Sequence, residues 1–321
     1  MNSLEYIREL IESDKRKLTI VFDIDDTLAA HSSIEDEEKL YVLRKSMLIF
    51  AVEREHQVLP GVIELMQLLF SKDYINVAFF SSGVKERNTV FVKELLTRSL
   101  GEDKYLEVAP SIIILSKEDL TPGDKNQASQ MYQNFGLTWG NNKKDISKAL
   151  GKNGSLANSI FIDDDSTYIY YGQEQNFLRS PWGKAEYYGA LKNMTPDIEF
   201  YEYKSDECFF KFNTVFYIAG VLSDCINEFE KGHDVRPLLF DMHFKKSTDK
   251  LFGFEPRYDC IKDKEYYAKG LTFLRAIKPN ICFVSHEDYV GTLDSPATEQ
   301  EQQIIDDSKS RKTSGENCCV M

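Results

Sequence analysis

The stretch LTIVFDIDDT, residues 18–27, decides the fold. Five apolar or β-branched residues run directly into a group of carboxylates, Asp23, Asp25 and Asp26. An apolar run without polar alternation is typical of a strand that is covered on both faces. Carboxylates this close raise one another's pKa unless a cation lies among them. The stretch therefore predicts a buried strand that ends at a cation site or in water.

Similar runs recur along the chain and alternate with helical patterns. The predicted strands are 18–22, 75–80, 111–115, 159–162 and 198–203. Apolar spacing predicts one helix that begins after Pro60 and Gly61 and a second helix over 84–100. This alternation predicts an α/β fold with a three-layer, Rossmann-like parallel sheet. Ligands of such sheets bind at the carboxyl ends of the strands.

The composition limits the partners of the chain. Its 321 residues include 39 Lys plus Arg and 52 Asp plus Glu, for a net charge of -13. Such a field repels nucleic acid, so no nucleic-acid partner is expected. The sequence shows neither a signal-peptide core nor an apolar run near the roughly 18 residues of a membrane span. The expected location is the cytoplasm or the cytosolic face of a eukaryotic membrane.

The pattern changes along the chain and predicts three parts. Residues 1–204 carry the α/β pattern, and 205–290 carry helical patterns that indicate a helical appendage packed on it. Residues 291–321 are polar and almost without aromatics, which predicts a disordered tail.

The first acidic cluster has the residues that phosphoryl transfer needs. The carboxylate of Asp23 can attack phosphorus and form an aspartyl-phosphate. Asp25, two residues on, can protonate the leaving oxygen and later deprotonate the attacking water. A divalent cation makes this feasible, because a bare carboxylate repels a phosphate dianion.

Three later stretches supply matching groups. The hydroxyl of Ser81, with Ser82 and free backbone N–H groups, can hold phosphate oxygens at a strand end. Lys144 can pair with the phosphate as a point charge. The run at 163–165 offers hard oxygen ligands for Mg²⁺. Asp163 is the first candidate in that run because it follows the strand directly, and Asp164 is expected either to support the ligands from outside or to reach the metal through water.

In this order, DIDDT, FFSSG, Lys144 and FIDDD resemble the four motifs of the haloacid dehalogenase superfamily of aspartate-nucleophile phosphatases. The resemblance covers about residues 17 to 170. It implies that Asp23 is the nucleophile and Asp25 the general acid/base. It also implies Mg²⁺ bound by Asp23, the Asp25 carbonyl and Asp163.

Within the superfamily, KKDISK is similar to the lysine segment of the phosphatases that act on the C-terminal domain of RNA polymerase II. Here extra residues separate Lys144 from Asp163, which departs from that pattern.

The expected substrate follows from the short connections between the motifs. In the superfamily that the motifs resemble, large cap domains enclose small metabolites, whereas uncapped members tend to act on macromolecules. The segments 27–60 and 83–143 leave little room for a cap. The expected substrate is therefore a phosphoprotein, through phosphotyrosine or phosphoserine/threonine. A small-metabolite phosphatase and a lipid-anchored adaptor without catalysis stay open as alternatives.

Two further residues carry expectations. Cys318 begins CCVM, the pattern of a farnesylation box, which predicts a membrane partner through a prenylated C-terminus. One lipid gives only weak, reversible binding, so stable attachment needs a second contact. Arg87 is expected to be a charge on the surface of a helix, with substrate binding as the alternative.

Overall fold

A computed structural model gives the fold of the chain. It describes residues 16–31, 48–52, 54–123, 142–151, 153–181, 210, 213–246, 254–256, 260 and 263–284. The strands are β1 (Leu18–Phe22), β2 (Ala29–His31), β3 (Leu48–Ala51), β4 (Arg54–Val58), β5 (Ile75–Phe80), β6 (Ile113–Leu115), β7 (Thr121–Pro122), β8 (Asn142–Lys143), β9 (Ser159–Asp163), β10 (Phe177–Arg179), β11 (Phe244–Lys246) and β12 (Phe254–Pro256). The α-helices are α1 (Val62–Phe70), α2 (Lys85–Leu100), α3 (Glu102–Val108), α4 (Thr214–Glu230), α5 (Arg236–His243) and α6 (Lys264–Leu274).

The central sheet has five parallel strands in the order β10-β9-β1-β5-β6. The predicted α/β fold class with a parallel sheet is therefore confirmed. The strands predicted at 18–22, 75–80 and 159–162 form as expected. The run at 111–115 begins its strand only at Ile113, because Ala109–Ser111 form a 3-10 turn that contains Pro110.

The two faces of the sheet pack against different layers. Leu18, Ile20 and Phe22 of β1 point into a core that also contains the apolar faces of α1, α2 and α4. Val21, on the opposite face, packs in a smaller cluster beneath the 3-10 segment Ile146–Ala149. All five residues of β1 are buried, because β1 is the middle strand and both of its faces are covered.

The connection between β1 and α1 contains a small antiparallel sheet. Its described strands pair in the order β2-β4-β3. The antiparallel pairing of β2 with β4 begins at Ala29 and Val58, so the sheet lies directly after the acidic loop. In the described part of this connection, these three short strands are the regular secondary structure that could cover the carboxyl end of β1.

The helices after residue 213 share the main core with the sheet. Helices α4 and α6 pack closely because both carry glycine at the crossing. A Cβ at Gly220 would lie 1.9 Å from the carbonyl oxygen of Tyr266, and one at Gly270 would lie 1.7 Å from that of Phe216. At the start of α1, the Cβ position of Gly61 lies 3.3 Å from Val215. The helical region is thus packed against α1.

Several predictions fall outside the described residues. These are the strand at 198–203, the boundary at 204/205, the polar tail from 291 and Cys318. In the described ranges, the helices are all too short or too polar to span a bilayer.

Candidate active site

Adjacent strands bring the predicted site residues to one edge of the sheet. Asp23 follows β1, Ser81 follows β5 and Asp163 ends β9. These strands are neighbours, with β1 between the other two. The backbone N–H of Asp23 donates to the carbonyl of Ile162 at 2.9 Å, which continues the sheet pairing to the first carboxylate. From β1 the chain first adds β5 and β6 on one side and later β9 and β10 on the other, so the strand order switches between β1 and β9. Ligands of open α/β sheets bind at such a switch point.

The loop after β1 is a tight turn. Asp26 has a φ of 59°, and its backbone N–H donates to the carbonyl of Ala29 at 2.8 Å. Aspartate tolerates this left-handed conformation better than most residues. The buried hydroxyl of Thr27 lies 3.3 Å from that of Ser180, which ties the loop to the segment after β10. Asp26 therefore serves the turn, while Asp23 and Asp25 flank Ile24.

Lys144 joins the two buried aspartates. Its backbone N–H donates to the carbonyl of Tyr168 at 2.7 Å, which fixes the chain beside the 3-10 turn Ser166–Tyr168 that follows β9. Its Nζ donates to Asp23 Oδ1 and to Asp163 Oδ2, both at 2.7 Å. The lysine is 1 % exposed. Burying an ammonium and two carboxylates costs desolvation free energy unless each charged group is paired. Here the ammonium pairs with both carboxylates.

The acidic run at 163–165 divides by contact. Asp163 is 1 % exposed, and its Oδ1 accepts the backbone N–H of Asp165 at 2.8 Å. Asp165 instead caps the next turn, where its carboxylate accepts the backbone N–H of Thr167 at 2.8 Å. Asp164 is half-buried and points its carboxylate toward Asp23 and Asp163.

The donor atoms fit a small divalent cation. One carboxylate oxygen from each of Asp23, Asp163 and Asp164 lies within 4.8 Å of the other two. Hard carboxylate oxygens are the ligands that Mg²⁺ prefers. Three carboxylates face one ammonium, that of Lys144, so a divalent cation would complete the charge balance. Asp25 is not a member of this oxygen group, and its backbone carbonyl stays a predicted ligand.

Burial and neighbouring negative charges raise the pKa values of the carboxylates in this cluster. Burial raises the pKa of Asp23 well above its usual range, although Lys144 opposes the shift. Burial raises the pKa of Asp163 to about 7, against the lowering effect of Lys144. The pKa of Asp164 rises to about 8, through burial and then through the charges of Asp23 and Asp26. Burial lowers the pKa of Lys144, but Asp163 and Asp23 reverse this and the net shift is upward.

Asp25 has a different set of partners. Arg87 Nη1 donates to Asp25 Oδ1 at 2.5 Å, and Nη2 donates to Oδ2 at 2.7 Å. Ser81 Oγ donates to the same Oδ2 at 3.1 Å. The expectation that Arg87 is a helix-surface charge is wrong, because the residue is 9 % exposed and lies on the inner side of the first turn of α2. Ser82 follows Ser81 and is half-buried, and its phosphate-binding role stays a prediction.

Sequence reasoning missed His56, a second residue beside Asp25. It lies on β4, is fully buried, and its Nδ1 is 3.8 Å from Asp25 Oδ1. Its ring meets Phe91 of α2 edge-on, with centroids 5.4 Å apart. Strand β4 is short and polar, so its pairing partner could not be predicted. The one signal for Arg87 was its position in the first turn after the serine motif, four residues beyond Gly83.

These contacts define the class of site. It is an acidic crevice at the carboxyl end of a parallel α/β sheet, with a buried carboxylate positioned by lysine and a second carboxylate positioned by arginine and serine. Such an arrangement can hold a phosphate ester beside a nucleophile and a proton-transfer group.

Comparison with known proteins adds structural matches at low similarity. No protein-family profile and no curated protein sequence matches the chain. One match is the fission yeast RNA polymerase II CTD phosphatase Fcp1, in a variant with one arginine replaced by alanine and with beryllium fluoride bound. Its identity to this chain is 13% and its TM-score is 0.32. That match covers 74% of this chain and 65% of the other. A second structure of Fcp1, described as an essential RNA polymerase II CTD phosphatase, matches with 12% identity and a TM-score of 0.34, over 90% of this chain and 73% of the other.

Proposed function

We propose that this chain is a Mg²⁺-dependent phosphatase that hydrolyses phosphate monoesters through an aspartyl-phosphate on Asp23. The observation that carries the proposal is the contact of Lys144 Nζ with both Asp23 and Asp163, at 2.7 Å each, beside the Asp164 carboxylate. A lysine and two further carboxylates that converge on one buried nucleophile, Asp23, match the chemistry that the haloacid dehalogenase motifs imply.

Each residue has a defined task in the proposed reaction. Asp23 attacks phosphorus with one carboxylate oxygen, and the bond from phosphorus to the leaving oxygen breaks. For this step Asp25 must leave its ion pair with Arg87 and carry a proton, which it gives to the leaving oxygen. The ionised Asp25 then takes a proton from the water that attacks phosphorus, the bond from phosphorus to Asp23 breaks, and inorganic phosphate leaves. Lys144 holds Asp23 in place and neutralises charge on the phosphoryl oxygens. Ser81 supplies a hydroxyl, which donates to Asp25 in this structure.

Asp23, Asp163 and Asp164 would hold the cation, with the Asp25 carbonyl as a further predicted ligand. When bound, Mg²⁺ would shield the phosphate charge from the attacking carboxylate. The buried position of Asp163, with its second oxygen fixed by the Asp165 N–H, prepares one ligand before the cation arrives.

The proposed substrate is a phosphoprotein. Support comes from the connection between β1 and α1, whose described part forms a small three-stranded sheet beside the acidic loop. The side chain of Asp25 is 29% exposed, whereas that of Asp23 is 7% exposed. The proton-transfer group is therefore open to solvent, which suits a leaving group that extends away from the protein.

Turnover of a substrate panel tests this function. Phosphotyrosine and phosphoserine peptides would be compared with sugar phosphates and nucleotides, with Mg²⁺ and with excess chelator. We expect Mg²⁺-dependent release of phosphate from peptides and a hydroxylamine-labile phosphoryl group on Asp23, both lost in Asp23→Asn. Activity on metabolites alone would favour the small-metabolite phosphatase. A cellular effect that survives Asp23→Asn would favour the adaptor.

Prenylation at Cys318 and attachment to a membrane are proposed from the CCVM motif alone, since these residues lie outside the described ranges. A fluorescent protein that carries residues 292–321 would be compared with its Cys318→Ser variant in eukaryotic cells. We expect membrane enrichment of the first only, and identical diffuse distributions would refute the proposal.

A further inference from the structure

The aromatic ring of Tyr168 faces the ammonium of Lys144. The lysine Nζ lies over this ring, 4.5 Å from its centroid, and is 5.8 Å from the centroid of the Phe161 ring. A cation within about 6 Å of an aromatic face is attracted by the quadrupole of the ring. Because Lys144 is 1 % exposed, water screens this attraction little. The shorter contact, with Tyr168, is the stronger of the two.

This contact adds a third partner to an ammonium that already binds two carboxylates. An ammonium has three N–H donors. The described hydrogen bonds of Lys144 Nζ go to Asp23 and Asp163, at 2.7 Å each. The Tyr168 ring attracts the same ammonium but brings no further negative charge into the acidic cluster. It can therefore hold the lysine in place without adding to the charge that the site must neutralise.

The backbone fixes the ring relative to the lysine. Tyr168 ends the 3-10 turn Ser166–Tyr168, and the Asp165 carboxylate caps this turn by accepting the Thr167 N–H at 2.8 Å. The carbonyl of Tyr168 accepts the backbone N–H of Lys144 at 2.7 Å. The two residues are thus joined through their backbones and through their side chains. Any residue at position 168 could make the backbone contact, but only an aromatic residue can make the second one.

We propose that Tyr168 is a positioning residue that holds the Lys144 ammonium beside Asp23 through a cation–π contact. This inference rests on the proposed function, in which Asp23 attacks phosphorus and Lys144 neutralises charge on the phosphoryl oxygens. Lysine has a flexible stem, and its ammonium lacks the planar fork that would align it. The ring restricts this freedom, so the ammonium is at the nucleophile in a larger share of the molecules when substrate arrives.

Replacements that keep the shape of the ring separate the cation–π contact from packing. Tyr168→Phe keeps the negative face of the ring, whereas a trifluorinated phenylalanine at position 168 keeps the ring and removes most of that negative charge. With p-nitrophenyl phosphate as the probe, Tyr168→Phe should stay within about twofold of the wild-type kcat. The trifluorinated variant should lose roughly tenfold, between the values for exposed and desolvated cation–π pairs. The loss should fall mainly on kcat, because Lys144 acts on charge that develops in the transition state.

Urea unfolding in excess chelator tests the same contact without a reaction. With Lys144 present, the unfolding equilibrium constant of the trifluorinated variant should exceed that of Tyr168→Phe by roughly tenfold. In a Lys144→Leu background the two ring variants should unfold alike, because the neutral side chain is not attracted by the quadrupole. If the leucine background does not fold, the comparison with lysine present still decides, since the two rings are nearly equal in shape.

The control is Tyr170, two residues further along, which is half-buried and whose ring lies 5.5 Å from that of Tyr171. The same two replacements at Tyr170 should change neither kcat nor the unfolding constant by more than about twofold.

Equal turnover by the two ring variants at position 168 would overturn the positioning role, whatever their stability. A stability difference that persists in the Lys144→Leu background would overturn the cation–π contact. If the wild type hydrolyses neither p-nitrophenyl phosphate nor the phosphopeptides, while the ring variants still differ in stability, the proposed function fails and the contact itself stands.

Discussion

Lys144 and Asp23 are 121 residues apart in sequence, and the lysine Nζ lies 2.7 Å from Asp23 Oδ1. Both side chains are almost completely buried. The same ammonium contacts Asp163 at 2.7 Å, so Lys144 neutralises part of a group of three carboxylates, of which Asp23 and Asp163 are buried and Asp164 is half-buried. This relationship determines how the site responds to substitution, to pH and to metal.

Replacement of Lys144 by methionine should affect activity and stability together. The variant leaves Asp23 and Asp163 buried without their ammonium, so we expect a loss of roughly 3 kcal/mol in the free energy of unfolding near pH 8. Turnover should fall by about 10²- to 10³-fold, as when one preorganised donor is removed. Urea unfolding and phosphate release measure the two effects. Lys148→Met, on the exposed side of the same segment, should leave turnover unchanged and cost about 1 kcal/mol or less, because it removes only exposed hydrogen bonds to the Asp119 carbonyl and to Thr121.

Asp163 and Asp165 should differ in their effect on Mg²⁺ binding. Asp163→Asn removes a carboxylate from the oxygen group, and we expect the dissociation constant for Mg²⁺ to rise at least about tenfold. Asp165→Asn alters a residue whose carboxylate accepts the Thr167 N–H, so the dissociation constant should stay close to that of the wild type. Isothermal titration calorimetry with Mg²⁺ measures the dissociation constants of both variants. The opposite ranking would place the ligand two residues further along.

Stability without divalent cations should fall as the pH rises. The folded-state pKa of Asp163 is about 7 and that of Asp164 about 8, both above the ordinary value of 3.8. Between about pH 4 and pH 8 the folded chain therefore holds more protons than the unfolded chain, and each group destabilises the fold by up to ~1.4 kcal/mol per pH unit until its folded-state pKa is reached. Urea unfolding in chelator should show a stability that falls from pH 5 to pH 8.

Saturating Mg²⁺ should flatten or reverse that dependence, because the cation binds the ionised carboxylates and competes with protons. In Asp163→Asn the decline in chelator should be smaller, since one of the titrating groups is gone. A stability in chelator that rises from pH 5 to pH 8 would contradict the raised pKa values.

Gly270→Ala should weaken the contact between α4 and α6. A Cβ at this position would lie 1.7 Å from the carbonyl oxygen of Phe216, and helix backbone cannot move aside cheaply. We expect a loss of about 2–3 kcal/mol in the free energy of unfolding, which exceeds the gain in helix propensity from alanine. Ala268→Gln, on the exposed face of α6, should stay within about 0.5 kcal/mol.

The same variant tests how the chain is divided. The helices after residue 213 and the central sheet contribute to one hydrophobic core. Gly270→Ala should therefore lower a single unfolding transition that fluorescence and circular dichroism report together. Two transitions, of which only one is shifted, would support an independent helical domain.

The sequence by itself determined β1, β5 and β9 of the central sheet and the candidate nucleophile, whereas β10 was not predicted. Residues 18–22 could be predicted because an unbroken apolar run is typical of a strand in a parallel sheet with both faces covered. Asp23 and Asp163 could be predicted because each follows such a run, and parallel strands place their carboxyl ends at one edge. These inferences use only local pattern and a general property of parallel sheets.

Tertiary structure decided the rest, because it depends on contacts between segments distant in sequence. Arg87 has the sequence context of a surface charge, and only the packing of α2 against the sheet turns its guanidinium toward Asp25. Strand β4 exists through pairing with β2 and β3, and it is this pairing that brings His56 to the same carboxylate. The different roles of Asp164 and Asp165 also required the fold, since the sequence ranked only Asp163 and the other two differ in what each side chain contacts.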